Sequence, residues 1–367
     1  MLVRAAVTTA PNDVFIFREL DIDSPGPDEV LVRMVGTGVC HSDLIVRDAW
    51  YPVPFPVVLG HEGAGVVEAV GDGVAEVSPG DHVVLSFASC GSCTRCRTGA
   101  PAYCAEFLGR NFGCGRPDGS TSLRWGASRV HGFFFGQSSF ATHTLAPRQS
   151  VVKVPADLPL PLLGPLGCGV QTGACAVLKA LCCEAGSRIA VFGSGSVGCS
   201  AVMAAALAGC STIAVVGRNR SRLRLAEELG ATCVVDAGRT NVTETLRSVS
   251  GGSGFDYSIE ATGDPGMLRA AVDVLHTRGT CGVIGAARPG VEVALEMSGL
   301  MFGRKVQGIV EGDSVPQVDI PLLAGLHRKG LLPFDRMITT YPFEEINEAT
   351  EDMAGGKCVK PVLLFQG

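Results

Sequence analysis

No uncharged apolar run of transmembrane length occurs in the 367 residues. The best candidate, Val197 to Cys210, is too short and reads as a buried helix. A surplus of positive charge is also missing. The net charge is −6, so no basic surface argues for nucleic acid, and the run Arg218-Asn219-Arg220-Ser221-Arg222 is local. The first residues, Met1-Leu2-Val3-Arg4-Ala5-Ala6-Val7, lack the long apolar core and cleavage signature of a secretory signal. There is no internal repeat and no low-complexity tract. These absences predict a cytoplasmic protein with neither nucleic acid nor membrane as partner. Charged residues make up only 18% and hydrophobic residues 46%, which fits a well-packed soluble globule. The length exceeds what one core usually holds, so two domains are expected.

What the chain does have is cysteine. Fifteen cysteines without a secretory signal point to a reducing compartment and to metal binding, not to a disulfide framework. Four of them form the run Cys90-Gly-Ser-Cys93-Thr-Arg-Cys96, with Cys104 just beyond. Two C-x-x-C steps and a fourth thiol can close a tetrahedral shell of four sulfurs around one ion. Four thiolates with no open position suit a structural zinc. The alternative is a set of buried or disulfide-bonded cysteines, which would not need four thiols in so short a span. Such a site has no vacancy for substrate. It staples a lobe, and reactive groups must lie elsewhere.

The first ~150 residues are rich in Val, Gly and Pro, with alternating runs such as Glu29-Val-Leu-Val-Arg-Met-Val35 and recurring turn signals, which reads as a β-rich lobe. The pattern changes near Pro155. From Arg188 onward, apolar strands alternate with amphipathic helices. The strands are expected at Arg188–Phe192, Thr212–Val216, Thr232–Val235, Asp256–Glu260, Thr280–Ile284 and Lys305–Ile309. Six strands with helical crossovers predict an α/β unit with a parallel, doubly wound sheet. The final ~55 residues lose that alternation and are expected to return to the first lobe.

Strand Arg188–Phe192 runs into Gly193-Ser-Gly195-Ser196-Val197-Gly198 and an Ala-rich helix. A G-x-G-x-x-G between strand and helix is a dinucleotide-binding signature. Gly193 allows the tight turn, Gly195 lets the backbone approach a pyrophosphate, and Gly198 lets helix and strand pack closely. The helix N-terminus supplies unpaired N–H groups for the anion. About 20 residues on, NAD-binding chains carry an acidic residue for the ribose 2′-OH. Here the second strand ends in Gly217-Arg218-Asn219-Arg220, with no carboxylate. Arg218 and Arg220 could pair with a 2′-phosphate, so NADP(H) is the expected preference. The open alternative is that these arginines are a solvated helix start and that NAD(H) is used.

Three more segments carry ligand-type residues: Gly38-Val-Cys40-His41-Ser42-Asp43, Gly60-His61-Glu62-Gly63-Ala64-Gly65, and Gly164-Pro-Leu-Gly-Cys168-Gly-Val-Gln-Thr172. Spacing alone does not unite them. Together they resemble the zinc-dependent alcohol dehydrogenases of the medium-chain dehydrogenase/reductase superfamily, over essentially the whole chain. The stretches Tyr51–Gly60, Gly136–Phe140 and Glu311–Pro316 resemble the aryl-alcohol (benzyl alcohol) branch. The resemblance implies a GroES-like β-rich catalytic domain over 1–169 and 310–367, discontinuous and holding two zinc sites, and a Rossmann coenzyme domain over 170–309. It implies Cys40, His61 and Cys168 as catalytic zinc ligands, with a position left for water or alcohol. It implies Glu62 as a transient ligand, Asp43 as the acid that orients His61, and Ser42 as the hydroxyl that accepts the alcohol proton. His41 matches a residue that is often Arg in relatives, facing the pyrophosphate. Lys360 matches a basic residue that contacts the pyrophosphate.

In the same family a His three residues beyond the relay hydroxyl often passes the proton on; here that position is Ile45. By the resemblance, the reaction interconverts a primary aromatic or allylic alcohol and its aldehyde by hydride transfer with NADP(H). Trp50, Tyr51, Phe133-Phe-Phe135 and Phe140 are candidates for an apolar slot. A homodimer, or a tetramer of such dimers, is implied through the edge strand Lys305–Ile309. Two other readings stay open on this fold: a reductase of a specialised-metabolite aldehyde or enone, and a non-catalytic nucleotide-binding sensor.

Overall fold

In the computed structural model, which describes residues 1–366, the chain forms two compact units. One comprises 1–168, 315–328 and 338–367. The other comprises 169–314 and 329–337. The boundaries expected after 169 and 309 thus sit at 168 and 314, and the short run 329–337 groups with the second unit. Among the described residues no helix is long and apolar enough to cross a membrane.

The second unit is built on a six-stranded, all-parallel sheet. In spatial order its strands are Cys233–Asp236, Thr212–Gly217, Arg188–Phe192, Phe255–Glu260, Leu275–Val283 and Lys305–Gly308. The order reverses at Arg188–Phe192, the first strand in sequence. That reversal opens a crevice at the carboxyl ends of the central strands, where this architecture binds nucleotides. Five of the six expected strands lie within a residue or two of their predicted limits. The fifth starts earlier, at Leu275, because a register irregularity between Phe255 and Tyr257 lets its neighbour pair with Leu275 before the regular ladder begins. Buried Ala190, Phe192, Ala214, Val216, Phe255 and Leu275 form the core beneath the helices. The run from Val197 is the buried helix Ser196–Ala208, ended by Gly209 in the left-handed conformation at φ 79°.

The first unit is β-rich. A five-stranded sheet begins with Val57–Val58 and Leu2–Thr8, and a seven-stranded sheet is organised around the long strand Glu29–Gly38. That strand pairs with Gly63–Val70 on one edge. Its other edge is shared: His143–Pro147 takes Glu29–Arg33, and the C-terminal strand Lys360–Leu364 takes Gly36–Gly38. The last strand is thereby brought beside Val39 and Cys40, far from it in sequence. Val30, Val32, Met34, Val67, Val83 and Leu85 fill the core below.

Candidate active site

The helix His41–Arg47 begins at Cys40, which is its N-cap, and a capping box is closed by Asp43 at the third helical position. This local motif does more than start a helix. It turns the Asp43 carboxylate back toward the chain, where it accepts from Cys40 N at 2.9 Å, Gly60 N at 3.1 Å and His61 Nδ1 at 2.7 Å. Asp43 and His61 are both buried. Because the carboxylate must accept, Nδ1 carries a proton, and Nε2 offers a lone pair whenever the ring is neutral, as a metal complex requires. Nε2 is itself buried and has no hydrogen-bond partner.

Cys168 completes the group. One ligand atom from each of Cys40, His61, Glu62 and Cys168 lies within 4.8 Å of the others. An orphaned imidazole nitrogen beside two thiols and a carboxylate is a donor set for zinc, so the residues fit the ion that the motifs imply. A hydrogen bond with Cys168 holds the Cys40 thiol well below the usual range, against burial and with help from the Lys360 charge. Burial disfavours a charged His61 ring, but the Asp43 carboxylate outweighs it and holds the ring well above the usual imidazole range.

Glu62 and Lys360 are both buried, and the Lys360 ammonium donates to both Glu62 oxygens at 2.9 Å and to Val39 O at 3.0 Å. This corrects the sequence expectation for Lys360. Its ammonium is spent on Glu62 and Val39 inside the first unit and is 1% exposed, so it is not a solvent-facing anion ligand. Burial raises the Glu62 carboxyl above its usual range, with Lys360 opposing. Gly38 makes room for this carboxylate and Gly164 for the backbone of the same residue: a Cβ on the first would collide with Glu62 Oε2, and on the second with the Glu62 carbonyl oxygen.

Ser42 is half-buried, with its hydroxyl 3.9 Å from Cys40 Sγ. His41 is exposed and its ring stands edge-on to Trp50, centroids 6.3 Å apart. Phe134 and Phe135 pack on His61 at 5.5 and 4.8 Å. Phe112 joins them, and Tyr51 lies against Phe112 at 5.7 Å. Phe140 does not belong to this wall. It is buried against Phe15, at 5.5 Å. Phe133 is turned away under the Arg116 guanidinium. Sequence reasoning missed Phe112 and Gln137. Gln137 accepts from Gly63 N and donates to His61 O, clamping the ligand strand from a distant loop. Neither carries a spacing signal.

Cys90, Cys93, Cys96 and Cys104 also bring their sulfurs within 4.8 Å of one another. Backbone N–H groups point at them: Cys93 N at Cys90 Sγ, Cys90 N at Cys104 Sγ, both 3.2 Å. Donation from Ser92 and Cys93 pulls the Cys90 thiol down to about 6, which favours the thiolate that a cation needs. All four sulfurs are taken up in this group, so it fits a closed structural zinc.

In the second unit, Gly193 has φ 117°, open only to glycine, and a Cβ on Gly198 would collide with Gly193 O. Nothing lies within 4 Å of where a Gly195 Cβ would be. Gly195 is the N-cap of helix Ser196–Ala208 without a side-chain cap, and the buried Ser196 Oγ has no partner. Free N–H groups of Ser196, Val197 and Gly198 beside an orphaned hydroxyl form a cradle for a phosphate. A Cβ on Gly217 would press on Ser194 Oγ at 2.6 Å. Asn219 caps the next helix by accepting from Ser221 N and Arg222 N. Arg218 and Arg220 are both exposed, and Arg220 lies 3.8 Å from Asp236.

Replacing Asp43→Asn keeps the shape but weakens the acceptor that orients His61. The expected result is about 10–100-fold weaker zinc binding at the Cys40–His61–Cys168 site, with the four-cysteine ion retained. Metal content after graded chelator competition reads both. Loss of both ions together, or of neither, would remove Asp43 from this role.

Comparison with known proteins agrees with this geometry. The family model described as alcohol dehydrogenase GroES-like domain matches residues 26–156, and that described as zinc-binding dehydrogenase matches 196–325. A geraniol dehydrogenase of Castellaniella defragrans is 43% identical over 365 residues, covering 99% of this chain and 97% of its own. Among solved structures, the benzyl alcohol dehydrogenase of Acinetobacter calcoaceticus is 43% identical with a TM-score of 0.97 over the full length of both chains. An alcohol dehydrogenase zinc-binding domain protein from Burkholderia ambifaria is 50% identical, also with a TM-score of 0.97 and full coverage of both. With motifs, metal-ligand geometry and full-length likeness in agreement, the chain belongs to the zinc-dependent alcohol dehydrogenases of the medium-chain dehydrogenase/reductase superfamily.

Proposed function

We propose that this alcohol dehydrogenase interconverts primary aromatic or allylic alcohols and their aldehydes, with NADP(H) preferred over NAD(H). The observation that carries the substrate class is the aromatic cluster in which Phe134 and Phe135 pack on His61 and Phe112 packs on both of them. A flat, unsaturated substrate fits rings of that kind. Geraniol and benzyl alcohol, named for the two relatives, are allylic and aromatic. When bound, the zinc supplies a Lewis acid for the substrate oxygen and the nicotinamide supplies or receives the hydride.

The chain's own residues have distinct tasks. Cys40, His61 and Cys168 hold the ion, and Asp43 fixes the His61 ring. Glu62 lies within ligand distance of the same point, and Lys360 balances its charge there. Phe134 and Phe135 keep water from the site. Ser42, beside Cys40, accepts the alcohol proton, and exposed His41 takes it onward where the family more often uses the position filled here by Ile45. Gly193, Gly195, Ser196, Val197 and Gly198 receive the pyrophosphate. Gly217 leaves space at the ribose. Asn219 holds the helix start, and Arg218, with Arg220 shared by Asp236, offers the charge for a 2′-phosphate. The intact set of two thiols and one imidazole favours this chemistry over reduction of a C=C bond.

Zinc-loaded protein with benzaldehyde or geranial and NADPH is expected to show chelator-sensitive loss of nicotinamide absorbance. NADPH should exceed NADH in kcat/KM by about tenfold or more, and Arg218→Ala should erase most of that margin, as loss of a charge-assisted contact predicts. A tenfold preference for NADH would overturn the cofactor reading. Activity surviving complete zinc removal would overturn the chemistry.

The Ser42 relay has its own test. Ser42→Ala should lower kcat by about 10²–10⁴-fold, typical for a lost proton-transfer group, with zinc content unchanged. Turnover equal to the parent at every pH would exclude the relay.

We further propose a homodimer, or a tetramer of dimers, joined through Lys305–Gly308. This edge strand and the adjacent helix Met297–Met301 expose Met297, Met301, Phe302 and Val306 to 83, 74, 60 and 39%. A paired strand would cover that edge. Sedimentation at micromolar concentration should give a dimer or tetramer, and the charged variant Val306→Lys should give monomer. A monomeric parent chain would end this reading.

A further inference from the structure

The glycines on either side of His61 and Glu62 leave room for a second stretch of chain. A Cβ on Gly60, whose φ is 91°, would collide with Phe140 N, and one on Gly63 would collide with Met34 Cε and Ser139 Cβ. The stretch that uses this room is Gln137–Phe140, all of it buried. It meets the ligand segment residue by residue. Ser138 Oγ donates to Val58 O at 2.6 Å, Phe140 N to Leu59 O at 3.0 Å, Ser139 N to Gly60 O at 2.9 Å and Gln137 Nε2 to His61 O at 2.9 Å. Its backbone is strained: Phe133, Phe135 and Ser138 have φ of 60°, 49° and 64°, a region that bulky side chains rarely adopt. Strain of this kind persists only where the surroundings over-determine it, and it collects at functional sites.

Gln137 differs from its neighbours in reaching both peptide groups of a single residue. Its Nε2 donates to His61 O, in the peptide before Glu62, and its Oε1 accepts from Gly63 N at 3.0 Å, in the peptide after it. Glu62 O, in that second peptide, accepts from Gly38 N at 2.9 Å. With both peptide planes held, the φ and ψ of Glu62 are held, and so is the direction in which its side chain leaves the backbone. The carboxamide has one workable orientation. Turned over, it would set its NH2 against Gly63 N–H and its oxygen against His61 O and Ser86 O, the latter 3.5 Å from Nε2.

We propose that Gln137 is a positioning residue for the metal centre: by clamping both peptides of Glu62 it keeps the Glu62 carboxylate and the His61 imidazole converged on one point, and so slows release of the ion there. The role rests on the reading that Cys40, His61 and Cys168 hold a zinc. Without the carboxamide, His61 O and Gly63 N are buried and lose their partner, and the segment twists to find others. Rotation at Glu62 then carries its carboxylate away from the place where Lys360 meets it beside the two thiols. The bond from Asp43 to the imidazole survives this change. Gln137 thus acts through the main chain of the ligand segment, whereas Asp43 acts through the ring.

Gln137→Met keeps the length of the side chain and removes both polar atoms. Gln137→Glu keeps an acceptor for Gly63 N but presents oxygen to His61 O, and it carries the test alone if the first variant does not fold. Ser139→Ala is the control: its hydroxyl lies in the same loop but bonds Thr37 Oγ1, at 2.7 Å, and neither peptide of Glu62. Zinc-loaded protein is mixed with a chromophoric chelator and release is followed from each site. Both Gln137 variants should release the ion of the Cys40–His61–Cys168 site about 10–100-fold faster than the parent, the range expected when a group behind the ligands is lost, with release from the four-cysteine site unchanged. With Co2+ at the Cys40–His61–Cys168 site, the visible ligand-field bands should shift in Gln137→Met and match the parent in Ser139→Ala. Parent-like release and bands in the Gln137 variants would overturn the proposal. Equal acceleration at both sites, or the same acceleration in Ser139→Ala, would do so too, because it would mark a loosened fold. A parent chain that binds zinc only at the four cysteines would instead overturn the ligand reading, and this role with it.

Discussion

The catalytic lobe depends on one buried carboxylate. Asp43 accepts from Cys40 N, Gly60 N and His61 Nδ1, and so ties a helix start, a turn and a strand start to a single point. Two of these three donors belong to Cys40 and His61, members of the candidate metal-binding group. A carboxylate without such donors would be expensive to bury, and donors without it would be orphaned. The capping box at Cys40 thus shapes the candidate metal site as well as starting a helix. It sets the direction of the thiol and the tautomer of the imidazole together.

Around it sits a second buried charge pair, Glu62 with Lys360. Removing two ions from water is costly, and the pairing offsets this only where geometry is good and other polar atoms join. Both Glu62 oxygens lie 2.9 Å from the ammonium, which also reaches Val39 O. The pair holds an anion next to two thiols without leaving it uncompensated. Breaking it by removing one partner would leave the other charge buried alone, so the C-terminal strand is bound to the metal centre electrostatically as well as through its ladder with Gly36–Gly38.

Much of this was legible in the chain. The glycine motif was readable because each glycine answers a steric demand: positive φ at Gly193, a close helix–strand approach at Gly198, and open space at Gly195. The six strands of the coenzyme unit were readable because fully buried parallel strands are short apolar runs between helical segments. The four-cysteine site was readable because its ligands are local. Where the reading failed, the cause was non-local. Lys360 was expected to reach the pyrophosphate until the fold placed its ammonium against Val39 O and Glu62. Phe140 looked like a pocket residue until Phe15 proved to be its partner.

The sequence by itself determined what is encoded within a few residues: helix caps, the phosphate loop, the closed thiol shell, and the alternation that makes a parallel sheet. Such features depend on spacing along one segment, and spacing is visible in a string of letters. Only the tertiary structure decided which of the distant groups meet. Cys168 joins Cys40 and His61, Lys360 meets Glu62, and Gln137 clamps His61. Each of these contacts is set by strand register, crossover and close packing. A one-residue slip in register sends a side chain to the opposite face of its sheet, and no local pattern records which face a distant partner will occupy.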